Sequence, residues 1–365
     1  MEKYKRIYKD LFYKIKTGEL QSGTKLPTED ELAQEYGVSK ITVKTALNLL
    51  KTEGLVLRKK RLGTVVLNGV INTSGEKLIA VVFSGFDHLD IRIVNGLKQI
   101  ATEKNVRLAF FDSVTDLQKE REILCWLLSE NIAGLILMPL SPVGNLDVLS
   151  MFSIQKIPMV FMDFPAYTPF APTITSDNFE GMYNMVKYLI SLGHRDIGFF
   201  PFSDHFFPTE TARFEGYCRA LTDSGIPINN DYLFTSSVHE IYSIMASVAT
   251  DNMKAGKEFF ESYRKLTLKP TAVVCVNDLC AYGLIETSKL YGVAVPERLS
   301  VTGFDNLAVS VKSNITTVAQ NFSEISQTAL LTLLRKIEGT SNAPALIKIR
   351  TVLVRRDSVS KLTDI

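Results

Sequence analysis

Hydrophobic positions in the first 50 residues recur with helical spacing. Apolar side chains three and four residues apart predict a first helix that ends near Gly18. A second helix is predicted to begin at a capping box of Thr28 and Glu31 and to stop at Gly37. Ser39 is expected to cap a third helix, on which four apolar residues share one arc: Val43, Ala46, Leu47 and Leu50.

The outer arc of the third helix is polar and basic. It carries Ile41, Thr42, Lys44, Thr45 and Asn48. Two strands are predicted next, over 55–57 and 64–67, and the turn between them contains four adjacent cations. A helix, a Gly-containing turn and a helix with such an outer face suit the major groove of DNA. Adjacent like charges on the hairpin favour contact with phosphates.

From residue 78 onward, short apolar runs alternate with amphipathic segments. Strands are predicted over 78–83, 107–111, 134–138, 158–162, 196–200, 272–276 and 299–304. Helices are predicted over 91–103, 116–129, 178–192, 212–223 and 279–291. This is repeated βα winding, and about 290 residues are too many for one ordinary doubly wound sheet. The fold class is therefore α/β, with two lobes facing each other across a ligand-binding cleft.

Composition and charge narrow the class of protein. The chain has 365 residues, of which 46% are hydrophobic and 22% charged, which excludes a disordered chain. No apolar run approaches the roughly 20 residues of a membrane span, and no export signal is expected. The four cysteines form no CxxC pair, so we expect buried, reduced thiols, a cytoplasmic protein, and neither metal nor other cofactor.

Charge is distributed unevenly along the chain. Residues 1–67 contain 14 Lys and Arg against 8 Asp and Glu, a net charge of +6. The remaining 27 basic and 31 acidic residues give −4. A basic segment on an otherwise acidic chain favours a polyanionic partner. The predicted organisation is a DNA-binding domain over 1–67, a polar linker over 68–77 and an effector-binding domain over 78–365.

The first 67 residues resemble the winged helix-turn-helix domain of GntR-family repressors. The resemblance lies in four sequence blocks: 25–33, 36–44, 53–55 and 63–66. It implies that DNA contacts come from the recognition helix and the wing, through Ser39, Lys40, Thr42, Lys44, Lys60, Arg61 and Gly63. Lysines stand at 40 and 44 where the family commonly has arginine. This weakens the expectation of bidentate guanine contacts, because an ammonium lacks the planar fork.

The rest of the chain resembles the effector-binding core of LacI-family repressors. The blocks that carry this resemblance are 192–198, 213–217, 276–283, 301–306 and 316–320. A GntR-type head on a LacI-type body is similar to the arabinose-repressor group. The resemblance to the LacI-type core implies that Arg213 and Asp278 hold the effector. Weaker candidates are Gln320, Asp163, Asp177 and His88, together with four phenylalanines near strand ends, Phe161, Phe164, Phe206 and Phe207.

Simpler roles remain open for the two main candidates. Arg213 could bridge the lobes or pair with Glu210, and Asp278 could cap the helix that follows it. Carboxylate and guanidinium groups nevertheless suit a sugar, because its hydroxyls both donate and accept hydrogen bonds.

The leading hypothesis is a repressor that binds operator DNA as a homodimer and responds to a sugar such as arabinose or another monosaccharide. The alternatives are a similar regulator that responds to a nucleobase or phosphorylated metabolite, and a solute-binding receptor. An enzyme is not expected, since the sequence lacks GxGxxG after the first strand, GxxxxGK[ST], GxSxG and HExxH.

Overall fold

The computed structural model describes most of the chain: residues 3–16, 19–21, 23–52, 55–59, 63–66, 77–83, 91–163, 169–201, 208–234, 248–341 and 343–362. The chain divides into two compact units, Met1–Glu76 and Lys77–Ile365. Of the predicted linker over 68–77, only Lys77 lies among the described residues. Within these described segments, no helix is both long and apolar enough to cross a bilayer.

The first unit consists of three helices and a hairpin. Its elements are α1 Lys3–Lys16, α2 Glu29–Tyr36, α3 Lys40–Thr52, β1 Val56–Lys59 and β2 Gly63–Val66. The two strands pair antiparallel, with Val56 opposite Val66. The segment before α2 joins this sheet, because the Leu26 N–H donates to the Thr64 carbonyl at 2.8 Å and the Val66 N–H donates to the Thr24 carbonyl at 2.8 Å.

The helical predictions for this unit are confirmed. All four residues of the predicted apolar arc on α3 are fully buried. The capping box is present, with the Thr28 N–H donating to Glu31 Oε2 at 2.6 Å, and Gly37 ends α2 in the left-handed region at φ 62°. The hairpin differs from the prediction: β1 continues through Lys59, which the sequence placed in the turn.

The second unit contains two sheets. The six-stranded sheet has the order β12-β7-β6-β5-β3-β4 and is parallel throughout. The five-stranded sheet has the order β13-β11-β10-β9-β8, with only β13 antiparallel. The strands are β3 Leu78–Phe83, β4 Arg107–Asp112, β5 Gly134–Leu137, β6 Met159–Met162, β7 Thr173–Ser176, β8 Ile197–Phe200, β9 Ala272–Cys275, β10 Ser300–Asp305, β11 Thr316–Ala319, β12 Leu346–Ile349 and β13 Val352–Val354.

Helices cover both faces of each sheet, so that each sheet forms the centre of one lobe. The helices are α4 Ile91–Glu103, α5 Leu117–Leu127, α6 Leu146–Ile154, α7 Asn178–Ser191, α8 Pro208–Thr222, α9 Val248–Lys265, α10 Asp278–Leu290, α11 Ala308–Lys312 and α12 Phe322–Ile337. In the first lobe, α4 and α12 pack on one face of the six-stranded sheet and α5 and α6 on the other. In the second lobe, α7 and α8 cover one face of the five-stranded sheet and α9 and α10 the other. The two-lobed prediction is confirmed.

Three chain crossings connect the lobes. They follow β7, β11 and β12, because α7 packs in the second lobe, α12 in the first, and β13 pairs with β11. The crossings are tied together, since the Asp177 N–H donates to the Ile349 carbonyl at 2.8 Å and Ser176 Oγ donates to Gln320 Oε1 at 2.5 Å. The cysteines are only partly as expected: Cys275 and Cys280 are buried, but Cys125 is exposed because it lies on the outer side of α5.

Candidate functional site

The outer face of α3 is open to solvent. Ile41 is 77% exposed, and Lys44, Thr45 and Asn48 are also exposed. Ser39 caps the helix, because its Oγ accepts a hydrogen bond from the Thr42 N–H at 3.3 Å. The helix therefore presents its N-terminal side chains on a stable first turn, as a groove-reading helix does.

The two lysines of this face differ in their surroundings. Lys40 forms an ion pair with Asp30 of α2, and both side chains are more than 60% exposed. The described residues place no ion-pair partner beside Lys44. The sequence prediction did not include Asp30, although its position in the block 25–33 placed it next to the predicted reading helix. Lys44 is thus available to a polyanion, whereas Lys40 must first leave the carboxylate of Asp30 to contact a phosphate.

The wing residue Gly63 has a φ of +90°, in the region that favours glycine. A Cβ built at this position would lie 2.8 Å from Lys25 Cε, so the side chain of Lys25 lies against the wing. The predicted contact residues Lys60 and Arg61 lie outside the described residues.

Arg213 of α8 is buried at the carboxyl ends of the second-lobe strands. Its Nε donates to Asn178 Oδ1 at 2.8 Å, its Nη1 to the Val276 carbonyl at 2.5 Å, and its Nη2 faces Asp305 Oδ1 at 3.5 Å. The guanidinium stacks on Phe304, with 3.8 Å between the guanidinium carbon and the ring centroid. These contacts use three of its five N–H groups, so the fork is held in a fixed plane with donor capacity to spare. Its described ion-pair partner is Asp305, and not Glu210, which the sequence left open as an alternative.

Asp305 and Gln320 complete the surroundings of Arg213. Gln320 Nε2 donates to Asp305 Oδ1 at 2.6 Å, and the backbone of Asp305 has a φ of +107°, which L residues rarely adopt. Burial raises the pKa of Asp305 to about 7, and the nearby carboxylates of Asp278 and Asp163 add to the rise, while Arg213 opposes it. Asp305 lies in the block 301–306 but was not among the residues predicted to hold the effector. Ligands of open α/β sheets bind beyond the carboxyl ends of the strands, and Asp305 is the last residue of β10, so this rule could have identified it as a candidate.

Asp278 is fully buried and bonded within the protein. Its Oδ1 accepts from Thr317 Oγ1 at 2.5 Å, and its Oδ2 from the Leu307 N–H at 2.7 Å. Asn277, not Asp278, caps α10, because its Oδ1 accepts from the Cys280 N–H at 2.8 Å. Burial raises the pKa of Asp278 to about 6. In this arrangement the carboxylate joins α10 to the segment that follows β10.

The weaker candidates are divided by the structure. Asp163 directly follows β6 of the first lobe and has a φ of +74°. Burial raises its pKa, and the charge of Arg213 opposes that rise. Asp177 caps α7 through the Glu180 N–H at 3.2 Å and lies 3.5 Å from Lys348 Nζ, so it belongs to the chain crossings. His88 lies outside the described residues, as do Phe164, Phe206 and Phe207. Phe161 is a fully buried core residue.

A capped helix with an open polar face, and two lobes with buried charges at their strand ends, together define a class: transcription regulators that sense a small molecule. Comparison with known families agrees. Residues 3–66 match the family described as bacterial regulatory proteins, gntR family, and residues 186–359 match the periplasmic binding protein-like domain. The chain therefore joins a GntR-type helix-turn-helix domain to a periplasmic-binding-protein-like domain.

Curated relatives match the chain along nearly their whole length. The arabinose metabolism transcriptional repressor of Geobacillus stearothermophilus is 28% identical over 351 residues, covering 93% of each chain. The HTH-type transcriptional repressor PurR of Pasteurella multocida is 27% identical over 359 residues, covering 92% of this chain and 99% of its own. The chain is an effector-controlled transcription repressor and not an enzyme.

Solved structures share the fold. The transcriptional regulator CelR in complex with cellobiose superposes with a TM-score of 0.66 at 19% identity, over 91% of this chain and 100% of its own. A LacI family regulator from Enterococcus faecium with bound ribose has a TM-score of 0.64 at 22% identity, over 79% of this chain and 100% of its own.

Proposed function

We propose that this repressor binds its operator as a homodimer in the cytoplasm and that a sugar, bound between the two lobes, controls the binding. The observation that carries the proposal is Arg213: a buried guanidinium, stacked on Phe304, with two N–H groups beyond its contacts with Asn178, Val276 and Asp305. A fixed donor fork beside a carboxylate matches the alternating donors and acceptors of vicinal hydroxyls.

The residues around Arg213 have different proposed roles in binding the sugar. Arg213, Asp305 and Gln320 line the second-lobe side, and Asp163 comes from the first lobe. Asp278 supports them, because it holds the Leu307 backbone two residues after Asp305. The relatives named for arabinose and the neighbours solved with cellobiose or ribose support a sugar. The relative named PurR keeps a purine as the competing ligand.

Control of DNA binding follows from the three chain crossings. A ligand that contacts both lobes favours their closed arrangement, and in a dimer lobe rotation changes the spacing of the two reading helices. Helix-turn-helix dimers occupy half-sites at a fixed spacing. Effector and operator are therefore coupled, typically by 1 to 3 kcal/mol, with the same value whichever is bound first.

The experiment is a thermal-shift panel of pentoses, hexoses, disaccharides and nucleobases on the full-length chain. A ligand at about 100 times its Kd stabilises by about 2.7 kcal/mol. Each ligand that binds is then titrated into a complex with a duplex that the protein has selected from a random library. We expect a sugar to bind and to change operator affinity. Arg213→Lys keeps the positive charge but loses the planar fork, so it should weaken sugar binding and leave operator affinity without sugar unchanged. Binding of a nucleobase and of none of the sugars would overturn the proposal.

A further inference from the structure

The charges around Arg213 bear on which effectors the cleft accepts. We infer that the cleft selects against anions, so that the effector is an uncharged or positively charged polyhydroxylated molecule and not a phosphorylated or carboxylated one. The inference rests on the proposed binding site and adds to it the charge class of the ligand.

Two carboxylates compete for one guanidinium. Asp305 faces Arg213 Nη2 at 3.5 Å, and Asp163, from the first lobe, lies close enough for the charge of Arg213 to lower its pKa. The other described contacts of Arg213 go to neutral groups, the Asn178 amide oxygen and the Val276 carbonyl. Asp278 adds a third carboxylate close enough to act on Asp305. Buried carboxylates in excess of cations favour a proton or a cationic or hydroxyl donor, and they repel a further anion.

Two other arginines contact the segment after β10, and both are already engaged. Arg356 donates through Nη1 to the Ile315 carbonyl at 2.6 Å and through Nη2 to Asn306 Oδ1 at 2.6 Å. Its charge acts on Asp278. Arg92 of α4 donates to the Asn306 carbonyl at 3.4 Å and stacks on Phe322. Both guanidinium groups therefore secure the segment after β10, and neither forms an ion pair with Asp163 or Asp305 among the described residues.

Three helix N-termini, of the kind that often bind phosphate, are capped by the chain itself. Asp177 caps α7, Asn277 caps α10 and Asn321 caps α12, each by accepting a backbone N–H. A phosphate at any of these helices would have to displace the capping side chain. At α7 and at the first turn of α10 it would also meet the carboxylates of Asp177 and Asp278.

The sequence next to the strand ends adds no cation. The segments 84–90, 164–168 and 202–207, which follow β3, β6 and β8 in the chain, contain no Lys or Arg, and neither does 235–247. They contribute four acidic residues: Asp87, Asp90, Asp204 and Glu240. These segments also contain three histidines, His88, His205 and His239, whereas phosphate recognition in proteins relies mainly on Arg and Lys.

The backbone supports a functional placement of the two competing carboxylates. Asp163 and Asp305 both have positive φ values, +74° and +107°, and neither is a glycine or asparagine. Such strain persists only where the surrounding structure enforces it, and it concentrates at ligand-binding positions.

The test compares neutral, phosphorylated and amino forms of the same sugars on the full-length chain by isothermal titration. The probes are D-ribose with D-ribose 5-phosphate, D-glucose with D-glucose 6-phosphate and D-glucosamine, L-arabinose, and inorganic phosphate alone. We expect any sugar that binds to lose at least about tenfold in affinity on phosphorylation, and inorganic phosphate to bind more tightly to the double variant Asp163→Asn with Asp305→Asn than to the parent. Asp223→Asn, at the exposed end of α8, is the matched control and should behave as the parent.

The two proposals fail in different ways. If a neutral nucleobase binds and no sugar does, the sugar proposal fails and the charge class stands. If a phosphorylated sugar binds more tightly than its neutral form, the charge class is wrong. It is also wrong if the double variant binds phosphate no better than the parent, because the two carboxylates then do not set the selection.

Discussion

The outer face of α3 and the cleft around Arg213 both carry charged side chains, but in opposite settings. On α3 the lysines are exposed, and the one described ion pair, Lys40 with Asp30, lies in water. In the cleft Arg213 is 6% exposed and Asp278 is fully buried, and both form hydrogen bonds with other segments of the fold. Water solvates the charges of the first surface until DNA replaces it. The charges of the cleft have lost their water, so their partners decide both stability and selectivity.

We therefore expect the loss of one side chain in the cleft to have a larger effect than the loss of any side chain on α3. Arg213→Ala should lower the free energy of unfolding by about 3 to 5 kcal/mol, because it leaves Asp305 buried without its cation. It should also remove the response of operator binding to the effector, while the affinity without effector stays near that of the parent. Urea unfolding and operator titration measure the two effects. The control, Arg219→Ala, alters an exposed ion pair on the same helix. If Arg213→Ala kept its full response to effector, Arg213 would not belong to the site.

Stability should depend on pH through the cleft. The pKa values of Asp305 and Asp278, about 7 and about 6, are raised above the value near 3.8 of an unfolded chain, so the native state binds protons more tightly between these limits. The free energy of unfolding should therefore fall as pH rises from about 4 to about 7. In the parent, Asp305 should account for on the order of 3 kcal/mol of this fall, and the variant Asp305→Asn should lack that part of it. Denaturant unfolding at pH 4.5 and pH 8 tests it; equal pH slopes for variant and parent would contradict the assigned environment.

On the DNA side the expected effects are smaller and depend on salt. Lys44→Ala should reduce operator affinity and relax base preference by about 1 kcal/mol, as for one lost base contact. The double variant Lys60→Ala with Arg61→Ala should weaken binding to all sequences alike and reduce the salt slope by about 0.9 for each phosphate contact. Titrations on selected and random duplexes between 50 and 200 mM salt separate the two. Binding that ignores salt would refute the assignment of this domain.

The smallest effect is expected at Asp30. An exposed ion pair contributes less than about 1 kcal/mol, so Asp30→Asn should leave thermal stability almost unchanged. It should nevertheless raise affinity for random DNA, since Lys40 no longer exchanges a carboxylate for a phosphate. The comparison with Asp10→Asn, a carboxylate on α1 that pairs with Lys14, distinguishes this local effect from a change of net charge. Equal gains in the two variants would mean that only net charge matters.

Local patterns predicted most elements because they depend on neighbours in sequence. The arc of Val43 to Leu50 follows the helical period, and the capping box of Thr28 and Glu31 needs residues only three apart. Several elements were not assigned: the strands β7, β11, β12 and β13, which are three or four residues long, and the helices α6, α9, α11 and α12. The strands β7, β11 and β12 lie directly before the points where the chain passes from one lobe to the other, and β13 follows the last of them. No local sequence pattern indicates such a crossing.

In the site, the sequence selected Arg213, Gln320 and Asp163 by resemblance and by position at strand ends, but it could not pair them. Arg213 lies 92 residues from Asp305 in the chain, and Gln320 lies 144 from Ser176. Their contacts arise only when parallel strands from distant segments end at the same edge.

The amino-acid sequence by itself determined the class of this protein: a basic helix-turn-helix head, a βα-wound body and the side chains able to contact DNA or ligand. These depend on period, capping and composition, all of which are local. Only the tertiary structure decided that Asp305 is the counter-ion of Arg213, that Asp278 is used within the fold, that Lys40 is paired with Asp30, and that carboxylates outnumber cations at Arg213. Burial and charge pairing are properties of residues brought together from separate segments, so their energies exist only in the folded chain.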